Sequence, residues 1–110
     1  MSDVISFRAN SPLIGTWISD DPFGSTLEYS VFAVPRGFDV VATDIDDGEN
    51  GRVSDINWNG ETLSFSTLWE SSGRLCRCAM RSLSEDRVEF VLTFVEREIW
   101  IRKRSSNPQE

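Results

Sequence analysis

The chain contains no histidine. That absence excludes a Ser-His-Asp triad, a His-ligated haem and most catalytic zinc sites, because each needs an imidazole as base or ligand. Serines without such a base also argue against a hydrolase. Cysteine is nearly absent: there are two, Cys76 and Cys78. On one strand, residues i and i+2 point the same way with Cβ atoms about 6.5–7 Å apart, beyond the roughly 3.5–4.5 Å that a disulfide spans. The further Cys or His ligands of a zinc site are missing. No metal and no cofactor is therefore expected, and the pair reads as two reduced, buried thiols, which suits a cytoplasmic protein.

Long apolar runs are also lacking, so no membrane span is expected. Residues 1–10 show no basic stretch followed by an apolar segment, and a secretory leader is not expected either. Positive charge is scarce: 11 basic residues stand against 18 acidic ones, for a formal charge of −7. Affinity for nucleic acid comes largely from Lys and Arg displacing counterions, so a nucleic-acid partner is not expected. Arg102-Lys103-Arg104 is the local exception, and it reads as a solvated strand end running into a tail.

What the sequence does carry is turn chemistry. Clusters of Gly, Asp, Asn, Ser and Pro recur at 20–25, 35–37, 46–51, 57–61, 70–73 and 84–86, with a short Glu96-Arg97-Glu98 corner after them. Such spacing is that of an all-β sandwich or barrel. Eight segments lie between: Leu13–Ser19, Thr26–Val34, Phe38–Ile45, Arg52–Trp58, Thr62–Trp69, Arg74–Leu83, Arg87–Glu96 and Glu98–Lys103. Alternation with a period of two gives several of them an inner face. Leu27, Tyr29, Val31 and Ala33 share one face; Leu63, Phe65, Thr67 and Trp69 another; Cys76, Cys78 and Met80 a third; Val88, Phe90, Leu92 and Phe94 a fourth. Phe38–Ile45 fits either way round. At 110 residues, with 39% hydrophobic and 26% charged, the chain suits one globular domain over residues 1–110. Within it, residues 1–12 would be a tail or plug and residues 104–110 a disordered tail. The expected fold is a single antiparallel up-and-down β-barrel of about eight strands.

Gly15-Thr16-Trp17 at the head of the first strand, with Trp100, Arg102 and Arg104 in the last, resembles the calycin superfamily of lipocalins and fatty-acid-binding proteins. The resemblance implies that Trp17 closes the barrel floor, that Arg102 or Arg104 packs across its indole, and that Gly15 leaves room for the sheet to wrap. Avidin-like barrels also open on Gly-Thr-Trp, but Ile18 stands where those proteins prefer a ring-bearing polar residue, which argues against biotin.

Two functional readings follow. In the first, Tyr29, Phe65, Trp69, Cys78, Met80, Phe90 and Phe94 line an interior that binds a small hydrophobic molecule. In the second, the same side chains form a solid core, and outer apolar residues (Ile56 with Trp58, Val91 with Val95, and Trp100) make a homodimer or partner surface. A third reading, a cofactor-free enzyme, would use a mouth carboxylate such as Asp20, Asp21 or Glu70; on balance a non-enzyme is expected. The acidic run Asp44–Glu49 does not space as a calcium loop, since Gly48 falls fifth and Asp55 twelfth.

Overall fold

The computed structural model describes residues 11–21, 23–96 and 98–104. The plug expected of residues 1–12 and the tail expected of 104–110 lie almost wholly outside these residues. Seven antiparallel strands form a curled half-barrel: β1 (Gly15–Ile18), β2 (Leu27–Val34), β3 (Gly37–Asp44), β4 (Asn50–Trp58), β5 (Thr62–Trp69), β6 (Arg74–Ser84) and β7 (Arg87–Val95). They lie side by side in chain order, each paired with the next. No helix occurs among the described residues, and none is long and apolar enough to cross a membrane.

Glycine makes most of the reversals. Gly37, Gly48, Gly60 and Gly73 hold positive φ at or beside the four hairpins from β2–β3 to β5–β6, a conformation a Cβ disfavours. The β6–β7 hairpin reverses at Glu85-Asp86 without one, and its ladder slips between Ser82 and Ser84. Leu83 is the extra residue there and stands 56% exposed.

The curl has two local causes, both in β4. First, β4 pairs with β3 only at Ala42↔Gly51 and Thr43↔Asn50, then leaves it to pair with β5 from Arg52 onward. The crossing point is Gly51, where an added Cβ would collide with Thr67 Cγ2 and sit 3.2 Å from the Trp69 ring. Only a bare backbone can press so closely on the buried side chains of β5. Second, Asp55 and Ile56 together face the single residue Phe65, a β-bulge with Asp55 at φ 55°. The bulge resets the alternation, so that Val53, Ile56 and Trp58 all point inward.

That reset corrects the placement of Ile56 and Trp58 on the outside. Both are half-buried against the core, and Trp58 meets Phe38 edge-on at 5.2 Å. The orientation of β3 is settled as well, with Phe38, Val40 and Ala42 buried opposite Ala33, Val31 and Tyr29 of β2. Curling brings β2 against β5 and β7: the Tyr29 ring lies 5.8 Å from Phe65 and 4.6 Å from Phe90, and Phe65 lies 6.2 Å from Phe90. Such tilted and edge-on contacts suit the ring quadrupoles.

The eighth strand does not form. Glu98–Arg104 pairs with no strand, and Ile99, Trp100 and Ile101 are 96%, 84% and 88% exposed. Seven strands are an odd number. In an up-and-down meander the first and last strands then run parallel, and the barrel stays open between them.

Candidate functional site

The open seam between β1 and β7 forms a concave feature of the fold. Its upper part is a cleft of about 610 Å³. One wall is the end of β1 and the residues after it, Trp17 to Asp20; the other is the β6–β7 turn with Leu83, Asp86, Arg87 and Val88. Arg87 reaches across to Asp20 at 3.8 Å. Both ends of that ion pair are exposed, so it is worth little in energy, but it marks how near the two edges stand. Below the cleft, and sharing Trp17, Ile18, Ser19 and Val88 with it, is a narrower recess of about 80 Å³ that reaches Leu27, Tyr29, Phe90 and Leu92.

Trp17 is positioned locally. Its indole N–H donates to the Leu13 carbonyl at 2.8 Å, and Leu13 is itself buried at 1% exposure. The ring is half-buried against the core at the side of the seam rather than closing a floor. Arg102 does not pack on it: Arg102 lies exposed in the Glu98–Arg104 segment. The cation–ring contact among the described residues is instead Arg74 over Phe94, at 4.9 Å. Gly15 has open space where a Cβ would stand, and a φ of +142°. Its need for glycine is conformational rather than one of clearance.

Of the seven side chains expected to line the interior, Tyr29, Phe65, Trp69, Cys78 and Met80 are buried and Phe90 is half-buried. Phe94 is not inside; it is 48% exposed, and its neighbour on the same face, Leu92, is 37% exposed. The inner face of β7 therefore emerges from cover toward its C-terminal end, where an eighth strand would have lain. The structure thus gathers six of the seven residues and leaves Phe94 at the uncovered edge.

The interior also holds a small polar group. The Cys78 thiol lies 3.8 Å from both Thr67 Oγ1 and Cys76 Sγ, and both cysteines are free and buried. Burial pushes the Cys78 thiol up to about 12, with the neighbouring Cys76 adding to the shift. Cys76 is raised too, chiefly by burial. The Tyr29 hydroxyl is buried beside the Cys78 thiol, with no nitrogen or oxygen partner among the described residues, and burial followed by the two nearby thiols holds its pKa well above the usual phenol value. These groups stay neutral at physiological pH, so the cluster supplies no nucleophile. The carboxylates considered for catalysis, Asp20, Asp21 and Glu70, are all exposed.

Sequence reasoning missed Ile18, Leu83, Asp86 and Arg87 as a lining. Leu83 had one visible signal, an apolar residue out of phase with Cys76, Cys78 and Met80. The proximity of Arg87 to β1 had none, because it depends on how far the sheet curls. No family model, curated protein or solved structure matches this chain.

Proposed function

We propose that the protein is a non-enzymatic interaction module that takes an extended polypeptide strand along the seam between β1 and β7. The observation that carries this reading is the uncovered inner face of β7, with Leu92 and Phe94 37% and 48% exposed beside a strand edge that pairs with no strand among the described residues. A free edge offers a row of unpaired N–H and C=O groups, and an added strand satisfies them while its alternate side chains cover the apolar face. The direction follows from the topology: β1 and β7 run parallel, so one inserted strand is antiparallel to both. The mouth of the cleft carries Asp20 and Asp86 against Arg87, which pairs with Asp20, and the remaining single negative charge favours a strand with cationic residues at that end.

Titration of the isotope-labelled protein with a short extended Lys-Val alternating peptide, followed through backbone amide shifts, tests the reading. Shifts confined to Trp17–Asp20 and Val88–Val95 are expected. Unchanged amides at millimolar peptide would refute it.

A second reading has one observation in its favour, the buried Tyr29 hydroxyl at the wall of the recess, which has no nitrogen or oxygen partner among the described residues. In line with the calycin resemblance, a small hydrophobic molecule with one polar atom would enter between Trp17 and Phe90 and bond to that hydroxyl. A recess of about 80 Å³ admits only a few heavy atoms unless it opens further. Native mass spectrometry and a thermal-shift panel of lipophiles check it; no bound species and no shift count against it.

A further inference from the structure

Within the chain, one segment has the form the seam requires. Glu98–Arg104, Glu-Ile-Trp-Ile-Arg-Lys-Arg, stands clear of the sheet with Ile99, Trp100 and Ile101 almost fully exposed. Three adjacent bare apolar side chains are costly to leave in water. They are followed by Arg102, Lys103 and Arg104, three of the 11 basic residues in the chain.

We infer that this segment inserts into the seam of a second copy of the chain, so that two copies exchange eighth strands and form a symmetric dimer. The inference rests on the seam being a strand-binding site. Two observations carry the choice of occupant. Polarity and charge agree: antiparallel to β7 with Ile99 opposite Phe94, the segment sets Trp100 opposite Thr93 and Ile101 opposite Leu92, so that the two isoleucines cover the bare inner face, and Arg104 falls opposite Glu89, toward the cleft that Asp20 and Asp86 line together with Arg87. The connection also disfavours return to the same chain. Glu96-Arg97-Glu98 contains no Gly, Asn, Asp or Pro, whereas four of the five reversals from β2 to β7 use a glycine at positive φ. A glycine at positive φ is the usual device for a tight reversal in this chain; the β6–β7 turn manages without one, but a connection of three long side chains is better suited to running extended toward a neighbour. Exchange of one element between identical chains gives the same strand contacts as self-closure, at little cost and with twofold symmetry.

The test uses the full chain. Sedimentation at rising concentration should show a species of twice the chain mass, and the double variant Ile99→Lys/Ile101→Lys should return it to monomer without changing the β-sheet circular dichroism. Thr93→Cys in one preparation and Trp100→Cys in another, refolded together and oxidised, should give chains linked through the new cysteines. A native chain that stays monomeric, a dimer indifferent to the double variant, or a Thr93→Cys/Trp100→Cys chain that closes only on itself would each overturn the exchange. The synthetic peptide Glu-Ile-Trp-Ile-Arg-Lys-Arg added to the monomeric double variant separates the two levels. If it shifts the amides of Val88–Val95 although the native chain is monomeric, the exchange fails and the seam reading stands. If it shifts nothing, both fall.

Discussion

Gly51→Ala tests the mechanism of curling. The added Cβ would overlap Thr67 Cγ2 and stand 3.2 and 3.3 Å from two atoms of the Trp69 ring. Neither neighbour has freedom to withdraw, since Thr67 is 0% and Trp69 6% exposed in the middle and end of β5. Overpacking of this kind costs about 1–3 kcal/mol. Alanine also lowers the entropy of the unfolded chain, which returns about 0.4–1 kcal/mol. The expected net loss is about 1–2 kcal/mol, read by urea unfolding followed through tryptophan fluorescence, with an unchanged m-value. Thr67→Ser removes the colliding methyl and by itself should cost about 1 kcal/mol of buried apolar contact. In the double variant the new Cβ occupies the space that methyl vacates. The two effects should therefore fall short of their sum by about 1 kcal/mol or more, a coupling expected only of residues in contact. Strict additivity, or a Gly51→Ala protein within about 0.5 kcal/mol of the parent, would refute the close approach of β4 to β5.

Asp55 sits at φ 55°, a conformation that costs about 1–2 kcal/mol for most L-residues and is least unfavourable for Gly, Asn and Asp. Asp55→Gly should leave thermal stability unchanged or slightly raised, while Asp55→Val should lower it by at least about 1 kcal/mol in a calorimetric scan. Trp17→Phe keeps the ring at the seam but loses the bond to Leu13, for an expected loss of about 1 kcal/mol by denaturant unfolding; Trp17→Ala should cost about 2 kcal/mol or more, as the ring is half-buried rather than enclosed. Stability should fall on the alkaline side. Cys78 titrates near 9.0 when unfolded and is pushed up to about 12 when folded, so above pH 9 the unfolded chain has lost a proton that the folded chain keeps. Each further pH unit then costs up to about 1.4 kcal/mol per such group until the folded thiol itself titrates. Cys78→Ala should flatten the pH 9–12 limb of a stability curve measured by urea midpoints, and an unchanged limb would show that the thiol is accessible to water.

Turn residues carry most of the fold in the sequence. Gly37, Gly48, Gly60 and Gly73 stand where reversals occur, and strand bounds read from them fall within a few residues of the seven observed strands. Local alternation also located the core of β2, β5 and β6, because those strands are regular along the buried stretch. It failed in β4, where the apolar residue Val53 is out of phase with Ile56 and Trp58. Read as a uniform strand, that pattern sends Ile56 and Trp58 outward; read as a bulge at Asp55, it sends all three inward. The parity break was visible, and only the cross-strand register of β4 with β5 decides between the two.

The seam was less legible because it depends on what pairs with what. Alternation in Ile99, Trp100, Ile101 and Arg102 identifies residues suited to a strand, but the same pattern serves a strand within this barrel, in a second copy or in none. A parity argument narrows the choice. With seven paired strands, β1 and β7 run parallel, so direct closure would require the slanted ladder of parallel strands between two edges, one of which is only four residues long. An eighth strand removes that mismatch, being antiparallel to both neighbours. Among the described residues Glu98–Arg104 is such a segment, and it follows β7 after Glu96-Arg97-Glu98, which has no Gly, Asn, Asp or Pro. The basic end of the segment and the acidic mouth of the cleft then lie at the same end of the ladder, whichever copy supplies the strand. Salt should accordingly weaken the association of added Glu-Ile-Trp-Ile-Arg-Lys-Arg peptide with the double variant, since Asp20 and the other mouth charges are exposed and screened; affinity unchanged between low and high salt would place the peptide elsewhere than along β7.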